Sequence, residues 1–231
     1  TPLYSSAASD VYKRQSLGGS IIVPGEIDTI FLQRFREIIL TLEQKRFLII
    51  CGGGTISRKY QNVAKDITTV TKADLDWIGI QATRLNAELV RAMFGTMAHE
   101  KVIHDPNQPI DTDKRVIIGA GFEPGSSTDL RAVQLAERFG AGQVINMSNI
   151  DYVYSDDPKK NPDAVKLTRI PWDDFRKLVG DEWDPGLNMP FDPVASRAAA
   201  TIGLRVVIIG NDVGNLERLL KGEPFRGTTI A

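Results

Sequence analysis

Cysteine and histidine are scarce in this sequence, and neither sign of charge dominates it. The one cysteine, Cys51, excludes an internal disulfide framework and is typical of a reducing cytosol. The formal net charge of −1 argues against a nucleic-acid or membrane surface, and no apolar run approaches the roughly 20 residues of a membrane span. We therefore expect a cytoplasmic protein with no nucleic-acid partner and no membrane partner.

The two histidines, His99 and His104, have no cysteine and no acid-rich cluster beside them in the sequence. A metal centre made of side chains needs several such ligands together, and no Ser-His-Asp set is evident. We expect structural or exposed roles for both histidines and no metal held by side chains alone.

Short apolar runs alternate with amphipathic segments along most of the chain. Apolar residues at three- and four-residue spacings predict helices, and short continuous apolar runs predict buried strands. Helices are expected between 27 and 42, from 55, and at 72–94, 129–139, 171–178 and 192–203, with strands at 47–51, 116–118, 144–147, 205–209 and 228–230. This alternation indicates an α/β fold with a mostly parallel sheet covered on both faces, and with 228–230 as a closing edge strand.

The predicted helix at 72–94 has one continuous apolar face. Its members are Leu75, Ile78, Ala82, Leu85 and Leu89. The helix also contains Gly79, which costs roughly 1 kcal/mol relative to alanine in a helix interior. That cost indicates that something approaches this helix closely.

The first fifteen residues look foreign to the rest of the chain. Residues 1–8 are small and polar, and 10–15 can be back-translated as a transposase end sequence used in sequencing libraries. We expect 1–15 to be a non-native or disordered tail and 16–231 to form a single domain.

Glycine-rich turns follow three short apolar segments. They lie at residues 16–20, 52–54 (the second turn) and 119–129 (the third turn). Glycine lets a backbone approach a ligand closely, and a helix that starts just beyond such a turn points free N–H groups at an anion. Because the carboxyl ends of parallel strands meet at one edge of a sheet, the three turns predict a crevice that holds several phosphates.

Several side chains near these turns allow both a binding and a structural interpretation. Arg58 offers a planar fork that suits phosphate, or it is a solvated side chain. Residues 126–129, Ser-Ser-Thr-Asp, could bind phosphate or ribose, and they could equally cap a helix. Asp76 is an isolated acid within a helix, and residues 149–158 could flank a nucleobase or form a plain turn. The glycine spacing fits neither a Walker A motif nor a Rossmann fingerprint.

Taken together and in this order, the motifs resemble the amino acid kinase family, and in particular its uridylate kinase branch. The most specific parts are the triple glycine with Arg58 four residues later, and the segments 76–87, 124–129 and 149–160. Residues 18–20 and 58–60 look closer to the archaeal-type enzymes. The resemblance covers residues 16–230.

The resemblance implies a three-layer α/β/α sandwich with a mostly parallel central sheet, and a UMP kinase that transfers a phosphoryl group from ATP to UMP. It also implies Mg²⁺ and commonly a homo-oligomer, the hexamer. Residues 16–140 would form the acceptor lobe for UMP, and 141–231 the ATP lobe.

Site residues follow from the same resemblance, position by position. Catalytic roles fall on Arg58 and Asp129. UMP contacts fall on Gly53, Asp76, Gly121, Phe122, Glu123, Pro124, Gly125, Ser126, Ser127 and Thr128. ATP contacts fall on Gly18, Gly19, Ser20, Gly54, Arg58, Ser148, Asn149, Tyr154 and Asp157.

The sequence departs from the family pattern at two informative positions. Ser16 stands where many members carry a lysine, and Tyr152 replaces a glycine of the nucleotide loop. These departures favour, slightly, a non-catalytic nucleotide-binding or storage protein on the same scaffold. A kinase for another small acceptor, such as isopentenyl phosphate, is a further alternative, and the segment 76–87 argues against it.

Overall fold

The computed structural model describes residues 12–17, 22, 26–180, 182 and 189–231. The strands are β1 (Tyr12–Leu17), β2 (Arg46–Cys51), β3 (Val116–Gly119), β4 (Gln143–Met147), β5 (Val153–Tyr154), β6 (Lys166–Leu167), β7 (Arg169–Ile170), β8 (Arg205–Ile209) and β9 (Thr228–Ile230). The helices are α1 (Thr29–Thr41), α2 (Gly54–Ile67), α3 (Lys72–Phe94), α4 (Thr128–Arg138), α5 (Trp172–Val179), α6 (Pro193–Thr201) and α7 (Val213–Lys221).

Seven of these strands form one sheet in the order β3-β2-β1-β4-β8-β9-β7. The pairs from β3 through β8 are all parallel, β9 runs antiparallel to β8, and β7 pairs in parallel with β9. The mostly parallel sheet is therefore confirmed. The prediction of 228–230 as the edge strand was wrong, because the two-residue strand β7 pairs with its outer side.

The central strand β1 begins at Tyr12 and lies between β2 and β4. The backbone of residues 12–15 therefore pairs within the sheet, whereas the sequence placed these four residues in a tail. Residues 1–11 lie outside the described part of the chain. The division into an acceptor lobe and an ATP lobe stays a prediction.

Successive side chains of a strand point to opposite faces of the sheet, and here both faces are apolar and covered by helices. In β2, Phe47 and Ile49 belong to a core shared with α1, α3 and α7. Leu48 and Ile50 belong to a second core shared with α4, α5 and α6. Two helical layers on one sheet make the three-layer α/β/α sandwich, which confirms the expected fold class. No helix among the described residues is long and apolar enough to cross a membrane.

The buried side of α3 differs from the apolar face that the sequence pattern emphasised. Leu85 is 62% exposed and Leu89 is 37% exposed. The buried residues are Ile80, Ala82, Thr83, Asn86, Ala87, Val90 and Phe94. Two of them are polar, and buried polar side chains need hydrogen-bond partners; the glycine turns supply those partners.

The glycine inside α3 permits close packing of α2 against it, as its cost in helix propensity indicated. A methyl group at Gly79 would lie 3.2 Å from Ser57 Oγ and 3.3 Å from Gln61 Nε2. The Gln61 amide also donates to the carbonyl of Leu75 at 2.8 Å. The close approach at Gly79 is therefore by a neighbouring helix.

We predict that Gly227→Ala destabilises the protein by about 1–3 kcal/mol, because crowding at a packed position costs that much. An added Cβ there would lie 2.4 Å from the backbone oxygen of Ile208, which cannot move aside without disturbing β8. Urea unfolding measures the loss. Gly142→Ala is the control, since its Cβ would have no atom within 4 Å; equal midpoints for the two variants would contradict the packing argument.

Candidate functional site

The second turn joins β2 directly to the start of α2. Gly54 has φ +59°, a left-handed backbone conformation that favours glycine. At Gly53 an added Cβ would lie 2.8 Å from the Cβ of Ser57. Both positions therefore require glycine, one for its backbone angle and the other for close approach. The turn delivers the N–H groups that open α2 to the carboxyl edge of the sheet.

The third turn is held by side chains of α3. Gly121 N donates to Thr83 Oγ1 at 2.8 Å, and Gly125 N donates to Asp76 Oδ2 at 2.8 Å. Arg84 donates to the carbonyl of Phe122 from Nη2 at 3.2 Å. One helix thus fixes both ends of the turn, and Asp76 contacts the turn directly.

Asn86, also on α3, holds the second turn. Its Nδ2 donates to the carbonyls of Gly52 at 2.8 Å and Gly53 at 3.3 Å. The same helix therefore positions both turns. Strand register brings the turns side by side, because Leu17 pairs with Cys51 and Ile50 pairs with Gly119.

Arg131 is a functional candidate that the sequence analysis missed. It is 3% exposed, and its Nη2 donates to Ser126 Oγ at 2.6 Å and to Glu123 Oε1 at 3.3 Å. Its guanidinium lies 5.1 Å from the centre of the Phe122 ring, within cation–π range. Burial lowers the pKa of Arg131, an effect that the charge of Glu123 opposes. A buried cation thus ties together the residues expected to contact UMP.

The helix-capping interpretation of residues 126–129 is correct for Ser127. Its hydroxyl accepts from Leu130 N at 3.1 Å and caps α4. Ser126 Oγ instead donates to the carbonyl of Glu123 at 2.9 Å, within the turn. Thr128 is the first residue of α4. Capping leaves the backbone N–H groups of this helix start at the same edge as the second turn.

Asp129 lies against Asp192, whose backbone N donates to Asp129 Oδ2 at 3.1 Å. Part of Asp129 reaches solvent, but its carboxylate end lies deep among protein atoms. Burial raises the pKa of Asp129 to about 7, with the nearby Asp192 charge adding to the rise. Burial also raises the pKa of Asp192. Asp192 also caps α6, with its Oδ1 accepting from Ala195 N at 2.6 Å.

Four of the expected ATP-contacting residues, Ser148, Asn149, Tyr154 and Asp157, lie between the end of β4 and the turn after β5. Ser148 N donates to the carbonyl of Ile209 at 2.9 Å, which joins the ends of β4 and β8. Tyr154 lies in β5, and Asp157 Oδ1 accepts from Lys159 N at 3.0 Å in an exposed turn. Gly210 makes room for Asp151, whose Oδ1 would lie 2.0 Å from an added Cβ.

Arg58 occupies the first turns of α2 and is exposed, with its Nη2 3.3 Å from Thr55 Oγ1. It therefore starts beside the second turn and is free to reach an anion there. Exposed Asn149 follows Ser148 at the end of β4. The expected contacts Gly18, Gly19 and Ser20 lie outside the described residues, although β1 ends beside the second turn.

Of the two histidines, His104 lines a pocket together with Arg84 and Phe122, beside the third turn. His104 is half-buried, and burial followed by the positive charge of Arg84 lowers its pKa. Within the described ranges, no three histidine, cysteine, aspartate or glutamate side chains come together to hold a metal ion.

Residues 15–210 match the amino acid kinase family. The chain belongs to this family, as its motifs indicated. It is 33% identical over 220 residues to the uridylate kinase of Pyrococcus abyssi (strain GE5 / Orsay), with 93% of this chain and 96% of that protein covered. Identity to the uridylate kinase of Thermococcus kodakarensis is 33% over 219 residues, with the same shares covered.

Solved structures agree with this assignment. The uridylate kinase from Archaeoglobus fulgidus matches with a TM-score of 0.81 and 32% identity, covering 94% of this chain and 99% of that one. The UMP kinase from Bacillus anthracis matches with a TM-score of 0.75 over 95% of each chain. Its 20% identity supports the fold alone. The archaeal-type resemblance is confirmed by the archaeal relatives.

We predict that the stability of the Asp129→Asn variant relative to the wild type increases as pH rises. The raised pKa of Asp129 means that the folded state holds a proton that the unfolded state has released. Wild-type stability therefore falls as pH rises from about 4 to about 7, and asparagine, which can still accept from Asp192 N, removes this loss.

The measurement is the difference in melting temperature between variant and wild type from about pH 5 to pH 8, which should grow in favour of the variant. Asp66→Asn is the control, since Asp66 is exposed near the end of α2. A pH-independent difference for Asp129→Asn would contradict the burial argument.

Proposed function

We propose that this protein is a UMP kinase, which transfers the γ-phosphoryl group of ATP to UMP to give UDP and ADP. The observation that carries the proposal is the adjacency of two glycine turns, both fixed by α3 at the carboxyl edge of the sheet. Two nucleotides held end to end need such paired anion sites. The names of relatives 32–33% identical over more than nine-tenths of the chain support UMP as the acceptor.

In this proposal the third turn binds UMP, and the second turn contacts the phosphates of both UMP and ATP. Residues 121–128 surround the acceptor, with Asp76 on its ribose or base side and Gly53 near its phosphate. The ATP side comprises Gly18, Gly19, Ser20, Gly54, Ser148, Asn149, Tyr154 and Asp157. These assignments rest on position in the family motifs, and the contacts from α3 to both turns support them.

The chemistry needs positioning and charge neutralisation more than a strong base. The UMP phosphate is itself the nucleophile, and in-line transfer asks little covalent chemistry of the protein. Glycine N–H groups and the helix starts stabilise the transferring charge, while exposed Arg58 can reach the point where donor and acceptor phosphates meet. Asp129, a catalytic candidate, borders the third turn and connects the start of α4 to the start of α6 through Asp192.

Mg²⁺ fits this donor set when it arrives with ATP. Magnesium is commonly held by one or two carboxylates and by substrate phosphates rather than by a full protein cage. Asp129, the second residue of α4, is a carboxylate at the start of this helix, and it would hold the ion together with the phosphates. The ion supplies charge neutralisation to the triphosphate.

ADP release in a coupled assay with ATP and Mg²⁺ tests the activity against UMP, CMP, AMP and isopentenyl phosphate. Turnover with UMP above the other acceptors is the expected result. Turnover with isopentenyl phosphate alone would identify a different kinase of this fold. ATP binding without any turnover would identify the nucleotide-binding protein and would make Ser16 and Tyr152 the residues to examine.

We predict that Arg58→Ala lowers kcat for UMP phosphorylation by at least about 100-fold, because it removes a cation from the transferring phosphoryl group. The melting temperature should hardly change, since Arg58 is exposed. Lys65→Ala is the matched control, an exposed cation near the other end of the same helix. Near-normal turnover of Arg58→Ala would overturn its assigned role.

We also propose that the protein is a homo-oligomer, a hexamer by resemblance. Leu85 and Leu89 expose apolar surface on α3, and Trp77 on the same helix is 44% exposed. Apolar surface of this kind is covered in many assemblies. Light scattering should give a mass in solution that is a multiple of the 25.5 kDa of one chain. The Leu85→Lys variant should have a lower mass in solution. A monomeric wild type would contradict the proposal.

A further inference from the structure

A buried amide lies directly behind the second turn. Asn86 is 2% exposed and is more than thirty residues away from this turn in the sequence. Its Nδ2 contacts two successive carbonyls, those of Gly52 and Gly53. Asn86 lies in the motif segment 76–87, but it is not among the catalytic or binding residues that the family resemblance implies.

The contact determines where the N–H groups of the turn point. In a trans peptide the carbonyl and the N–H of the same plane point in opposite directions, and the described backbone contains no cis peptide bond. Drawing the Gly52 and Gly53 carbonyls toward α3 therefore turns the N–H groups of Gly53 and Gly54 away from it. Within the described part of the chain, neither N–H has a hydrogen-bond acceptor.

The first bond of α2 reinforces this orientation. Ser57 N donates to the carbonyl of Gly53 at 3.3 Å, so this carbonyl accepts from both the helix and Asn86. The positive φ of Gly54 then starts the helix with its N–H directed outward. Two adjacent donors at a helix start form a binding element for phosphate oxygens.

We propose that Asn86 is a positioning residue for phosphoryl transfer, holding the second turn so that the N–H groups of Gly53 and Gly54 face the phosphates. The proposal rests on the proposed kinase function. Asn86 acts through the backbone of the turn and touches no substrate. Its loss lets two peptide planes rotate, which weakens phosphate binding and lowers the rate.

Two variants separate positioning from folding. Asn86→Asp keeps the shape but faces two carbonyls with oxygens; when protonated it regains one O–H donor, and a buried carboxyl keeps its proton to higher pH than usual. Val90→Ala is the matched control, because Val90 is fully buried one turn further along α3 and packs only in the apolar core.

The expected result for Asn86→Asp is at least about a tenfold loss of kcat for UMP at pH 8, where the carboxylate dominates, because a preorganised donor pair is lost. Part of that loss should be recovered at pH 6, relative to wild type at each pH. Val90→Ala should lower the melting temperature, because it leaves a cavity in the core, and should keep kcat near that of the wild type.

Two results would overturn the positioning role. One is an equal loss of kcat in both variants at matched folded fractions, and the other is a loss in Asn86→Asp that is the same at pH 6 and pH 8. Calorimetric binding of ATP to each variant provides a readout that does not need turnover, with weaker binding expected for Asn86→Asp at pH 8. If wild type fails to phosphorylate UMP yet Asn86→Asp weakens ATP binding in this way, the proposed function fails and the positioning role stands.

Discussion

The contacts from α3 to the two glycine turns are the constraint on which the site depends. Thr83, Asn86 and Asp76 fall on one side of this helix, and each holds a backbone atom of a turn. Glycine turns are flexible by nature, so their N–H groups can only serve as a preorganised anion site if something fixes them. Because both turns are bonded to the same rigid helix, their positions relative to each other are fixed. That arrangement keeps the acceptor and donor sides at a constant separation.

Electrostatics adds a second constraint around the third turn. The cationic Arg131 donates to Ser126 of the turn, while at the end of the turn the Asp129 carboxyl accepts from the backbone N of Asp192. Taking charged groups out of water is costly unless they are paired and hydrogen-bonded. Beside the expected UMP site this pairing is incomplete: Arg131 is paired with Glu123, but Arg131 Nε and Asp192 Oδ2 are buried without a hydrogen-bond partner among the described residues. Burial also raises the pKa of Asp129 to about 7. Strongly shifted groups of this kind cluster at functional sites.

Local signals in the sequence predicted much of the fold, while pairing between distant segments lay beyond them. The helix predicted at 72–94 has the same bounds in α3, with a capping box of Thr71 and Asp74 at its start, and Asp192 caps α6 at the start of the helix predicted at 192–203. The two-residue strands β6 and β7 are too short for any periodicity, and α7 was missed although Asp212 caps it. For the site, the turn glycines were visible, but the partners of Asn86 and Thr83 are separated from them by more than thirty residues.

The most direct test of the account is a crystal structure of the protein with UMP and ADP bound. The account predicts that the UMP phosphate lies between the second and third turns, with the N–H of Gly53 at about 3 Å from a phosphate oxygen. It also predicts that the Asn86 contacts to the turn are unchanged. Nucleotide phosphates bound away from these turns, or a second turn rotated so that its carbonyls face them, would contradict it.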